Sequence, residues 1–132
     1  AHFKAGECEA ADSVFGKYTE KYPEQTFGYY WRARSNMARE NAMENGYAVP
    51  HYLKLLEVAE KDLANETNKK WAIEAYGYLA AYETNTNSNY AQGIEYFKKL
   101  LELDPNNADA QKYITILQKN LASGDTSKAS DK

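Results

Sequence analysis

Cysteine is almost missing from this chain of 132 residues: Cys8 stands alone, so no internal disulfide can staple the fold, and the redox compartment stays open. Proline and glycine are scarce, at three and seven, which disfavours the many tight turns of β architectures. No apolar run approaches the ~18 residues of a membrane span, and the opening AHFKAGECEAAD lacks the basic, apolar and cleavable parts of a signal segment. No membrane insertion is expected. An excess of positive charge is missing too, since sixteen Lys and Arg face nineteen Asp and Glu with the signs interleaved. The triplet Arg32, Arg34 and Arg39 is diluted by Glu40 and Glu44. No phosphate-binding footprint results, so nucleic acid is not an expected partner.

Reactive groups are equally sparse. His2 and His51 are the only histidines, one near a terminus and one beside Pro50, which leaves a nucleophile–His–acid device without its parts. There is no HExxH, no CxxC and no Gly-rich phosphate loop, and Gly16-Lys17 lacks the rest of one. Glu57 and Glu60, like Glu95 and Glu102, sit at helical spacings suited to solvent-facing pairs with Lys54, Lys61, Lys98 and Lys99. Asn65-Glu66-Thr67 matches a glycosylation triplet, a pattern that ordinary loops produce by chance. No catalytic, cofactor-binding or metal-binding residue is therefore expected, and Cys8 reads as an apolar packing position.

What is present is tyrosine, twelve of 132 residues, in patterns of helical period. The chain is long enough to bury roughly two-thirds of its unfolded surface. The recurrence of Ala11, Val14, Phe15, Tyr18 and Tyr22 predicts a helix over 8–22, closed by Pro23, with Ala5-Gly6-Glu7 as a turn. A second helix opens at Thr26, carries Phe27, Tyr30, Trp31, Ala33 and Met37, and fades in polar 40–46. A third spans 48 to about 61, with Pro50 in its first turn, where no intrahelical bond is lost. A polar loop precedes a fourth helix, about 68–84, whose Trp71, Ala75, Tyr78 and Leu79 share a broad stripe. The turn at 85–89 places Asn89 to cap a fifth helix, 90–103. A sixth, 108–121, turns Ala110, Ile114, Leu117 and Leu121 inward and Gln111, Lys112, Gln118 and Lys119 outward. Residues 122–132 have almost no apolar content and read as a disordered tail.

Self-comparison gives the sharpest signal. Ala11, Phe15 and Pro23 are separated by the same intervals as Gly93, Phe97 and Pro105. A small residue lets two helix backbones approach, an aromatic one turn on fills the gap, and proline forces the chain to turn. YAQGIEYFKKLLELDPNN and GECEAADSVFGKYTEKYP resemble the second half of the tetratricopeptide repeat, a 34-residue helix-turn-helix. In the middle copy Ala48, Tyr52 and Leu55 fit, while Glu60 stands where proline is expected. Ala33 and Ala80 occupy the small position of the first helices. The resemblance implies an all-α, right-handed α-solenoid: a half repeat at 1–25, a repeat at 26–62, an insertion at 63–72, a repeat at 73–107 and a capping helix at 108–121. It also implies a segment of a longer, bacterial-type repeat protein, because 3–6 would be the tail of a first helix.

In such a stack the first helices line a concave groove that takes a peptide or protein. The groove candidates that the resemblance gives are Phe27, Tyr30, Arg34 and Met37 from one unit, Glu74, Gly77, Tyr78 and Ala81 from the next, and Asp109, Lys112 and Tyr113 from the cap. Gly77 stands out, because a glycine inside a helix costs about 1 kcal/mol relative to alanine, so something should approach it closely, either a neighbouring tyrosine ring or a ligand. Some relatives clamp a partner's terminal carboxylate with Lys, Asn and Arg. Here Tyr30, Arg34, Gly77, Tyr78 and Lys112 stand where most of those would be, and that ligand is not expected. The expectation is a non-enzymatic binding scaffold. The alternative is a spacer or self-association module acting through an exposed N-terminal helix.

Overall fold

A computed structural model describes residues 5–123. Among them the chain forms seven helices and no strand, and helices close in sequence pack on one another. Its contacts divide it into two compact units, Ala1–Ala72 and Ile73–Lys132.

In the first unit α1 (Ala5–Lys21) packs on α2 (Thr26–Met37), and α2 packs in turn on the short α3 (Ala42–Asn45) and on α4 (Val49–Ala59). The helix α1 starts earlier than the periodicity suggested: Ala5-Gly6-Glu7 is helical, with open space around Gly6 where a side chain would sit. After Lys21 the turn at Pro23 is fixed by two tyrosines. Tyr29 donates its hydroxyl to the Pro23 carbonyl at 3.0 Å, and Tyr18 donates to Gln25 Oε1 at 3.0 Å. The two backbones then close on Gly28, where a Cβ would meet Thr19 Cγ2 at 2.8 Å and Tyr18 Cδ1 at 2.9 Å.

The polar 40–46 segment is not featureless. Asn41 at φ 58° and Gly46 at φ 66° bracket α3, and Gly46 N–H closes it on the Ala42 carbonyl at 2.8 Å. Pro50 falls in the first turn of α4, as expected. The core of this unit is Tyr52, Leu55, Ala33 and Ala59, all fully buried, with Cys8 in a packing position. Burying a side chain of the Leu or Phe class contributes about 1.5–3 kcal/mol each.

The long α5 (Glu66–Asn85) begins two residues before its predicted start. Asn65 is the reason: its Oδ1 accepts from Asn68 N–H at 3.0 Å, capping the first turn. Its first residues belong to the first unit and the rest to the second.

The second unit continues with α6 (Tyr90–Leu103) and α7 (Ala108–Ala122), which pack closely on each other. Asn89 caps α6 through Gln92 N–H at 3.2 Å, as the sequence suggested, and Asn107 caps α7 through Ala110 N–H at 2.9 Å. Three helices meet at Gly93. A Cβ there would overlap Thr84 Oγ1 of α5 and touch the Ala80 carbonyl and Leu117 Cδ1 at 3.5 Å. The small position read from the repeat is thus a point of backbone approach.

On α7, Gln111, Lys112, Gln118 and Lys119 are exposed as expected. Leu121 is not inward, at 37 % exposed, and Tyr113 and Ile116 are exposed as well. Ala110 and Leu117 are the residues this helix buries, and the described residues leave the side carrying Tyr113 and Ile116 uncovered. The helix ends at Ala122, and the remainder of the expected tail, like His2, Phe3 and Lys4, lies outside the described residues.

Candidate functional site

The second unit contains a cleft of about 610 Å³, within the size range of ligand sites. One wall is a single stripe of α5, Gly77, Ala81, Thr84 and Asn85, whose spacings of three and four keep them on one face. The floor is α6, through Phe97 and Leu100, both buried. The opposite wall is α7, where Tyr113, Ile116 and Asn120 repeat at helical spacing above Ala110 and Leu117, with Asp109 in the first turn. The Phe97 and Tyr113 rings lie 5.5 Å apart with their planes inclined by 27°, which holds Tyr113 against the floor while leaving it 47 % exposed.

Four sequence candidates come together here: Gly77, Ala81, Asp109 and Tyr113. Three others in this unit do not line the cleft. Tyr78 is buried, and burial, reinforced by Tyr82, raises its hydroxyl above the usual tyrosine value. Glu74 is half-buried, and Lys112 is exposed one residue away from the lining. Sequence reading missed Ile116, Asn85 and Asn120. Their i, i+3 and i+7 relation to Tyr113 and the register of Gly77 were signals that would have found them.

Gly77 was expected to meet a tyrosine ring or a ligand. The nearest group to a Cβ there is Leu100 Cδ1 at 3.6 Å, an ordinary contact. No neighbouring helix therefore demands a glycine at this point, and its face opens on the cleft.

In the first unit the candidates are occupied differently. Tyr30 is 6 % exposed, and its ring stacks on Trp71 at 4.0 Å with the planes 4° apart. Arg34 donates from Nη1 to the Tyr30 hydroxyl at 3.0 Å and lies by its ring. Met37 is partly exposed, its Sδ accepting from the Tyr52 hydroxyl at 3.8 Å. Phe27 is exposed at 42 % but contacts Phe15 and Tyr18. With Gln25, Asn65 and Trp71 it borders a shallow polar recess of about 370 Å³.

A half-buried polar cluster of the first unit went unseen in the sequence. Asp12 of α1 accepts from Arg32 Nε at 2.8 Å and Asn36 Nδ2 at 2.6 Å on α2, and His51 Nε2 of α4 stands 3.8 Å away. Gly16, one turn after Asp12, leaves room for the guanidinium, whose Cζ would be 3.1 Å from a Cβ there. Burial alone would raise the Asp12 carboxyl, but hydrogen bonds from Arg32 and Asn36, with the charges of Arg32 and His51, outweigh it and hold the group below its usual range. Burial, and then Arg32, lower His51, against a smaller opposing pull from Asp12. The carboxylate is already engaged, and 3.8 Å is too long for a hydrogen bond to the imidazole. The cluster clasps α1 to α2, with His51 of α4 set beside it.

Among the described residues no three His, Cys, Asp or Glu are grouped to hold a metal ion, and no helix is long and apolar enough to cross a membrane. Comparisons with models of protein families, with curated proteins and with solved structures found no match.

Proposed function

We propose that this chain is a binding scaffold that takes a peptide or protein segment in the cleft between α5, α6 and α7, without catalysing a reaction. The observation that carries the reading is the convergence of Gly77, Ala81, Asp109 and Tyr113 on one cleft from two helices, above an apolar floor of Phe97 and Leu100. Exposed Tyr113 and Ile116 have the aromatic and aliphatic character that anchors interfaces. The Gly93 approach and the buried Ala33 and Ala80 support the tetratricopeptide-type, right-handed solenoid reading behind it, in which such a cleft is the concave groove.

A random-peptide display selection on the full chain tests it. Selected peptides should lose affinity about tenfold or more against Tyr113→Ala and Ile116→Asp, a loss of roughly 1.4 kcal/mol or above, while both variants keep the thermal midpoint within a few degrees. Peptides that bind both variants as well as the parent chain would place the interaction elsewhere and end the proposal.

Self-association through α1 remains the second reading, favoured by Val14, which is 63 % exposed beside half-buried Phe15. It requires a mass that grows with concentration and returns to monomer in Val14→Lys.

A further inference from the structure

Resting on that reading of the cleft, we infer that its ligand is an internal peptide segment carrying a bulky apolar side chain next to a lysine or arginine, and not a peptide's terminal carboxylate.

The cleft is lined by a single formal charge, and it is negative. Its lining residues include one carboxylate, Asp109, and no lysine, arginine or histidine. Asp109 is exposed and makes no ion pair among the described residues. A carboxylate ligand would find no cation to receive it and one anion to repel it. Lys112, which the sequence reading placed in the groove, stands outside the lining.

The polar groups on the walls point the same way. Asn107 is already committed, since its Oδ1 caps α7 and its Nδ2 donates to Asp104 Oδ2 at 3.2 Å. Asn85 and Asn120 line the two walls as neutral carboxamides, each with a donor and an acceptor. That pairing suits the amide backbone of a chain passing through, which offers both groups at every residue.

The floor supplies the remaining specificity. Phe97, Leu100 and Leu117 are buried beneath a space of several side-chain volumes, and Gly77 removes a methyl group from the wall above Leu100. A leucine, methionine or phenylalanine fits there by burying apolar surface. Asp109 lies in the first turn of α7, on the same wall as Tyr113. A cationic neighbour of the anchor would meet it at the surface, where the attraction weakens with added salt.

The test uses two random-peptide libraries on the full chain, one with both peptide ends blocked by linker and one ending in a free carboxylate. The blocked library should yield binders in which lysine or arginine lies within two positions of a bulky apolar residue. Resynthesised with acetyl and amide ends, they should weaken about fivefold or more against Asp109→Asn, recover in Asp109→Glu, and weaken between about 50 and 500 mM salt. Binders that need a free carboxylate, that carry acidic flanks, or that ignore Asp109→Asn would overturn the inference while leaving the cleft intact as a site. If neither library gives binders sensitive to Tyr113→Ala, the cleft reading itself fails, and the ligand assignment with it.

Discussion

Two tyrosines from the two units, Tyr30 and Tyr113, were assigned the same task from the sequence and have opposite surroundings. Tyr30 on α2 is covered by Trp71, tethered by Arg34 and almost wholly buried, whereas Tyr113 on α7 rests one face on Phe97 and leaves nearly half its surface open. Register alone does not distinguish them. What differs is whether a third helix arrives to cover the ring: in the first unit the start of α5 brings Trp71, and in the second no described element covers Tyr113. The same side chain at the same kind of position is mortar in one unit and open surface in the other.

The contrast should break most visibly on truncation. Tyr30→Ala is expected to destabilise the chain by about 3–5 kcal/mol, the cost of removing a buried aromatic. Tyr113→Ala should cost no more than about 0.5–1 kcal/mol, as for a surface change. Urea unfolding of the two variants measures this directly, and equal losses would mean that Tyr113 is as embedded as Tyr30.

The glycines sharpen the same comparison. Gly28→Ala forces a methyl group to within 2.8–2.9 Å of Thr19 and Tyr18 side-chain atoms, and overpacking of this kind costs about 1–3 kcal/mol. Gly77→Ala places its methyl 3.6 Å from Leu100, so the helix should gain up to about 1 kcal/mol while the cleft narrows. A raised midpoint with weakened peptide binding is the expected signature. A lowered midpoint would show that the glycine serves packing after all.

The smallest expected effect is the pH dependence of the clasp. His51 is held below its usual pKa of 6.5, so the unfolded chain binds its proton more readily, and stability falls as pH drops below 6.5 toward the folded value. Asp12 is held below 3.8, so its contribution is present above that pH and is lost as the pH falls through the lower folded value. Both losses run toward acid. The difference in thermal midpoint between the parent chain and His51→Gln should therefore be constant above pH 7 and change below 6.5, where the parent falls faster. Parallel curves would remove His51 from the account.

Much of the helical framework was legible because its signals are local. Tyr90–Leu103 followed from its apolar period, the Asn89 cap and the stop before Pro105, all within one segment. The start of α5 was misplaced because a capping carboxamide looks like loop sequence until the N–H it accepts from is seen on Asn68. Four of the residues that line the cleft, Gly77, Ala81, Asp109 and Tyr113, were among the candidates that the repeat resemblance gave. The burial of Tyr30 was not legible, because Trp71 reaches it from a distant part of the chain. Nor was the clasp, where Asp12 and His51 have no periodic relation at all.

Gly16 has a consequence for how the chain can vary. The cradle that holds the Arg32 guanidinium is a missing side chain, so a larger residue at 16 would press on the guanidinium and push it off its bond to Asp12. Substitutions at 16 and 32 should then be tolerated together and rejected singly, a larger residue at one site requiring a shorter one at the other. A saturation library would see this unremarkable helical glycine behave as though it belonged to α2.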